Sequence, residues 1–139
     1  MVEHTHIEFS TAGNTDVVDI TSAVETIVDK SEITAGLINL FVPGSTGALT
    51  TIEYEGALVR DLQQSVDEII PKDRDWAHNA TWGDGNGHSH LRASIFGPSL
   101  SLPVVNSRLM RGTWQQVVFI DFDNRARERK VVVTLMGDK

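Results

Sequence analysis

The chain has no cysteine among its 139 residues. That excludes a disulfide framework, a thiolate nucleophile and cysteine-based zinc sites. Basic residues are also in short supply: 12 Lys and Arg stand against 19 Asp and Glu, for a formal charge of −7. Nonspecific nucleic-acid binding rests on neutralising phosphates, so this balance argues against a nucleic-acid partner. Nor is there a polybasic patch for an anionic membrane surface. No apolar run approaches the roughly 18 residues of a membrane-spanning helix, and the N-terminus lacks a signal-peptide apolar region. The expectation is a soluble, cytoplasmic protein. Aromatics are scarce too (five Phe, three Trp, one Tyr), which leaves Val, Ile and Leu to fill the core. A 40% hydrophobic and 22% charged composition is that of a globular chain. Its length suits a single domain over residues 1–139, with no linker, repeat or low-complexity tract.

Periodicity places the elements. His4–Thr11 reads as a strand with Ile7 and Phe9 on one face, and Val17–Ile20 as a short second strand. Ser22 and Glu25 have capping-box spacing for a helix to Lys30, whose buried stripe would hold Val24, Ile27 and Val28. The nearly continuous apolar run Gly36–Val42 looks like a central strand covered on both faces. Ala48–Tyr54 is β-branched and strand-like. Leu58, Leu62, Ser65, Val66, Ile69 and Ile70 mark a second helix stopped by Pro71. Lys72–His90 shows no regular pattern, and a loop that long in a compact domain tends to carry function. Leu91–Phe96, Leu100–Val105, Gln115–Phe122 and Val131–Met136 read as strands between turn signals. About seven strands and two main helices in this order give an α+β fold of mostly antiparallel sheets with helices on one side.

The segment Trp82-Gly83-Asp84-Gly85-Asn86-Gly87-His88-Ser89-His90-Leu91 concentrates the chemistry. Three glycines let the backbone approach a ligand. If His90 opens a strand, His88 and His90 project from one face, placed to share a metal ion or an anionic substrate. Asp84 and Asn86 add oxygen ligands, and His78 in the loop could complete a three-histidine site with an open coordination position. The same residue types also make ordinary turns with surface histidines, and both readings stand at this point. His4 and His6 repeat the i, i+2 spacing at the N-terminus.

Gly44-Ser45-Thr46-Gly47 could form a backbone nest with two hydroxyls aimed at a phosphate, although it lacks the Gly-Lys-Ser/Thr ending of a P-loop. Glu53 is locally disfavoured in a β-branched strand, which fits either a general base or a charge guarding a sheet edge. Arg125, Arg127, Arg129 and Lys130 cluster before the last strand and could clamp a phosphate or simply be solvated. No Gly-x-Ser-x-Gly elbow supports a serine hydrolase.

Taken together, Pro43–Thr50 with Glu53, Asp84–Leu91, Gly97–Val104, Gly112–Gln116, Arg129–Val133 and Gly137 resemble the YjbQ family of small proteins, in family order along nearly the whole chain. The resemblance implies an α+β homotrimer with a polar, histidine-containing cleft near the subunit boundary. It implies a secondary thiamine-phosphate synthase side activity, which joins hydroxymethylpyrimidine diphosphate to thiazole phosphate and releases pyrophosphate. The positions it carries over are Ser45, Thr46, Glu53, Asp61, His78, Asp84, Asn86, His88, His90 and Gln115. In that reading His78, His88, His90 and Asp84 are candidate ligands for a divalent metal, zinc or magnesium. Ser45, Thr46, Asn86 and Gln115 hold the phosphorylated small molecule, and Glu53, His90 and Asp61 are the catalytic candidates. One departure is Gly44, where many members carry the histidine of a His-Thr-Thr motif. The alternatives are a non-catalytic trimeric metal- or ligand-binding protein, and a metal-dependent hydrolase.

Overall fold

A computed structural model describes all 139 residues. Eight strands and four helices follow one another in the chain. They are β1 (Val2–Thr11), β2 (Asp16–Asp19), α1 (Thr21–Lys30), β3 (Ala35–Phe41), β4 (Gly47–Ile52), α2 (Gly56–Ile69), α3 (Ala77–Trp82), α4 (Gly87–Phe96), β5 (Ser99–Val105), β6 (Arg108–Leu109), β7 (Gln116–Asp121) and β8 (Arg127–Asp138). The fold is α+β. A five-stranded sheet runs β1-β8-β3-β5-β6 and a three-stranded sheet runs β2-β7-β4, with every pairing antiparallel.

The layers follow from side-chain alternation. Inward residues of the large sheet (Ile38 and Leu40 on β3, Val131, Val133 and Leu135 on β8) meet Val117 and Phe119 of β7, Leu49 of β4 and the Val24–Val28 stripe of α1. The other face of the small sheet, through Val118, Ile120 and Phe122, packs on Val66 of α2 and Ala93 of α4. The strand buried on both faces is therefore β7, not the Gly36–Val42 run. In β3 only Ile38 and Leu40 are fully buried, whereas Leu37 and Phe41 stay 44% and 42% exposed. The outer face of the large sheet is open.

The helical capping box does not form. Residue Ile20 occupies the cap of α1, and the Asp19 carboxylate instead accepts from the Thr21 amide and hydroxyl at 3.0 and 2.5 Å. Glu25 is drawn away to Arg111, 2.9 Å from its guanidinium. Glu55 caps α2 by accepting from the Ala57 and Leu58 amides, both at 2.8 Å.

The largest departure lies between 72 and 96. The patternless loop contains α3, and the expected strand Leu91–Phe96 is the C-terminal part of α4. Of the residues buried there, His88 recurs at Arg92 and Ser89 at Ala93, four positions on, which is helical spacing. Arg92, 3% exposed, anchors the helix by donating to the Ile70 carbonyl at 3.0 and 2.7 Å and to the Thr15 hydroxyl at 3.1 Å. Gly87 lets α3 and α4 touch: a Cβ there would sit 2.9 Å from the Trp76 Cβ and 3.0 Å from the Asn79 side-chain oxygen. That oxygen accepts the Gly87 amide at 2.9 Å.

Candidate functional site

Three segments converge on an open cleft of about 580 Å³. The turn from β3 into β4 supplies Gly44, Ser45 and Thr46; the entry to α4 and its first turn supply Asp84, Asn86 and His90; the β7–β8 turn supplies Asp123, Asn124 and Arg125, and the start of β8 supplies Arg127 to Lys130. A hydrogen bond from the Asn124 side-chain amide to the Asp84 carbonyl, 2.8 Å, ties the last two together. Four cations (Arg125, Arg127, Arg129 and Lys130) face three carboxylates (Asp84, Asp123 and Glu128). On a protein of net charge −7 this cleft gathers four of the 12 basic residues.

Its floor is a buried polar network. Arg129 is 8% exposed and Asp121 0%. The guanidinium donates from Nε and Nη2 to the two Asp121 carboxylate oxygens at 2.7 and 2.8 Å, a bidentate fork. Its Nη2 also donates to the Thr46 hydroxyl at 2.8 Å, which donates onward to Asp123 at 3.1 Å. Thr11 gives its hydroxyl hydrogen to Asp121 at 2.6 Å. Burial works to raise the Asp121 carboxyl, but hydrogen bonds from Arg129, Thr11 and the Asp123 amide, with the Arg129 charge, outweigh it and hold the group below its ordinary range. In the same way, burial opposes ionisation of Asp123, while the Asn124 amide, the Thr46 hydroxyl and the Arg127 charge prevail and lower it.

The helix separates the two histidines. Residues two apart on a helix point about 200° from each other, so His88 and His90 leave opposite sides of α4. His90 is half-buried and lines the cleft. His78, from α3, packs edge-on to it with ring centroids 4.7 Å apart. His88 turns inward and is 1% exposed. Desolvation, with the Arg92 and Lys72 charges, pushes its imidazole below the ordinary value. Its Nδ1 and the Asn86 Oδ1 are the two buried side-chain polar atoms without an intramolecular partner.

The expected donors therefore do not come together as a metal centre. No three His, Asp or Glu side chains converge where they could hold an ion. Of the four candidates, Asp84 and His90 share the cleft, His78 adjoins His90, and His88 faces the other way. The phosphate-binding candidates divide similarly. Ser45, Thr46 and Asn86 line the cleft, although the single hydroxyl hydrogen of Thr46 is already given to Asp123. Gln115 is exposed and accepts the Gly112 amide at 2.8 Å. It sits at the other end of the small sheet, because β4 runs from Gly47 beside Asp121 to Ile52 beside Gln116, about 17 Å at roughly 3.3 Å per residue. Glu53, exposed and just past the end of β4, is at that far end too. Asp61 is exposed on α2.

Asp121, Asp123 and Arg129 were missed as individuals, yet a signal for them exists. Counting by two along β7 puts Asp121 on the face of Val117 and Phe119, and along β8 it puts Arg129 on the face of Val131, Val133 and Leu135. A charge in register with a buried face needs a partner there.

A family model described as UPF0047 protein YjbQ-like matches residues 5–138. A UPF0047 protein of Methanothermobacter thermautotrophicus is 35% identical over 127 residues, covering 91% of this chain and 87% of that one. The UPF0047 protein YugU of Bacillus subtilis is 31% identical over 133 residues, covering 94% and 97%. Among solved structures, a YbjQ-like protein of unknown function from Sulfolobus solfataricus superposes with a TM-score of 0.94 at 37% identity over 99% of both chains. A hypothetical protein from Aeropyrum pernix does so at 0.91 and 33% identity, over 98% of this chain and 99% of that one.

Proposed function

The chain belongs to the UPF0047 YjbQ-like family, and from that premise we propose that its cleft binds and transforms a small phosphorylated molecule. The observation that carries the reading is the meeting of four cations, the Gly44–Thr46 turn and the His90 imidazole in one cleft. The finer form of the proposal is the synthase reaction the resemblance implies. A thiazole-phosphate nitrogen attacks the methylene of hydroxymethylpyrimidine diphosphate, the carbon–oxygen bond breaks, and pyrophosphate leaves with the bonding pair. Arg125 and Lys130, which have no ion-pair partner in the chain, neutralise the charge that develops on the leaving diphosphate. His90 hydrogen-bonds the departing oxygen and is the acid–base candidate. No step is assigned to a metal, since the donors available within one chain do not fit one.

Homotrimer assembly belongs to the same proposal. It is supported by the open face of the large sheet, which exposes Val2, Leu37, Phe41, Val105 and Met136. Lys130, paired with Glu8 in the β1–β8 ladder, both lines the cleft and lies on that face, so the cleft opens beside the assembly surface. Glu53, Asp61 and Gln115 take part in this reading only where a neighbouring protomer presents them.

The test is thiamine-phosphate formation and pyrophosphate release from the two substrates. Wild type should turn over, His90→Ala should lose about 100-fold or more, and Arg125→Ala/Lys130→Ala should raise KM. Neither turnover nor binding of pyrophosphate by the wild-type protein would overturn the proposal.

A further inference from the structure

We infer that Arg129 is the fixed phosphoryl-binding group of the cleft, acting through Nη1, and that Gly44 keeps that nitrogen reachable. The inference deepens the reading above and rests on a phosphorylated ligand entering the cleft.

Three of the five N–H donors of the guanidinium lie on Nε and Nη2, and those two nitrogens are engaged by Asp121 and Thr46. Nη1 makes no intramolecular hydrogen bond. It is also not among the buried atoms without a partner, which are confined to Asn86 Oδ1 and His88 Nδ1. The exposed remainder of this 8%-exposed residue therefore includes Nη1, and the side chain lines the cleft. Two donors on a cation are left without a partner within the chain, on a nitrogen that keeps some exposure to the cleft.

The group is also immobile. The Asp121 fork, the Thr46 hydroxyl and the Phe119 ring, 5.7 Å from the guanidinium carbon, hold it from three sides. An arginine already ordered by folding has little rotamer freedom left to lose when an anion binds. Asp121 is itself committed to Thr11 and the Asp123 amide, so the fork does not swing to follow a ligand.

Gly44 supplies the access. Its φ is not in the left-handed region, so the turn does not require glycine for its backbone. What the missing side chain leaves is space: a Cβ at position 44 would lie 3.3 Å from Nη1. The pinned guanidinium cannot retreat from it. Ser45, whose hydroxyl makes no hydrogen bond within the chain, stands next to the opening and offers a neutral donor to the same oxygen. With Arg125 and Lys130 also lining the cleft, the charge on offer matches the nearly double negative charge of a phosphoryl group better than a single carboxylate.

The experiment is titration of the full chain with inorganic pyrophosphate, followed by calorimetry and by the side-chain 1H–15N resonances of Arg129. Wild type should bind, with the Arg129 Nη signals shifting in step with saturation. Gly44→Val should weaken binding about tenfold or more while the variant keeps the circular dichroism spectrum of the folded wild type. Arg125→Ala/Lys130→Ala provides the separate control on the cleft. If that pair abolishes binding while Gly44→Val leaves affinity and the Arg129 shifts untouched, the phosphate sits elsewhere in the cleft and the role of Arg129 is overturned, with the phosphorylated-ligand reading intact. If wild type binds no pyrophosphate, both fall.

Discussion

Replacing Asp121 by alanine should be among the most damaging single changes in this molecule. The carboxylate is 0% exposed and balances Arg129, which is 8% exposed. It also accepts from the Thr11 hydroxyl and the Asp123 amide, at 2.6 and 3.0 Å. Its removal leaves a buried cation unbalanced, the Asp123 amide without its partner, and the Thr11 hydroxyl with only its 3.3 Å bond to the Arg127 carbonyl. Breaking a buried pair from one side costs about 3–5 kcal/mol, a large share of the ~5–15 kcal/mol that holds an ordinary domain folded. With an unfolding entropy of ~2.1 cal/mol/K per residue, that corresponds to a fall in Tm of roughly 10–17 °C. The assay is thermal and urea unfolding at one fixed protein concentration, since assembly would make both concentration-dependent. The double variant Asp121→Leu/Arg129→Met removes both charges and should be less destabilised than Asp121→Ala alone. The pH dependence has a definite sign. Because the native carboxyl is lowered, its contribution is present above the unfolded carboxylate value near ~3.9 and is lost as pH falls through the native value. A cost below about 1 kcal/mol for Asp121→Ala, or a double variant as unstable as the two single changes summed, would refute the reasoning.

His88 adds a second pH dependence at a higher range. Its native imidazole is lowered by burial, so below the unfolded value near ~6.5 the unfolded chain binds the extra proton first and stability falls with pH. Melting curves between pH 8 and 5 should show that loss, and His88→Phe should flatten it; an unchanged slope would remove His88 as its source. On the open face of the large sheet, Leu37→Lys/Phe41→Lys should convert the proposed trimer to a monomer with an unaltered circular dichroism spectrum. Light scattering decides this, and a wild type that is already monomeric at micromolar concentration would end the assembly proposal. Gly87→Val should force α3 from α4 at a cost of about 1–3 kcal/mol, and full wild-type stability would show that the helices separate freely.

Most strands were legible because each presents one buried face, and alternation by two survives without knowledge of partners. Ile7 and Phe9 in β1, Val24 and Val28 in α1, and Val66 in α2 fall where periodicity puts them. The His88-Ser89-His90 segment misled for a physical reason. Alternating polar residues imitate a strand, while the helix-forming Leu91-Arg92-Ala93 and the closing Gly97 carry the better signal. The burial of β3 was misjudged because an apolar run cannot say whether its second face meets its own chain or stays open.

The candidate site divides along the same line. Residue type and spacing picked out polar groups that border one cleft: the hydroxyls at 45 and 46, Asp84, Asn86 and His90, and the basic residues from Arg125 to Lys130. Which of them meet was decided by tertiary structure alone. Asp121 reaches Arg129 through the β7–β8 turn, and Thr46 reaches both ends of that network across more than 70 residues of chain. The helical twist of α4 sends His88 into the interior while His90 faces the cleft. A side chain's type and period are local properties, read one residue at a time. Which charge lies opposite it, and whether water remains between them, depends on how distant strands register, and only the folded sheets fix that.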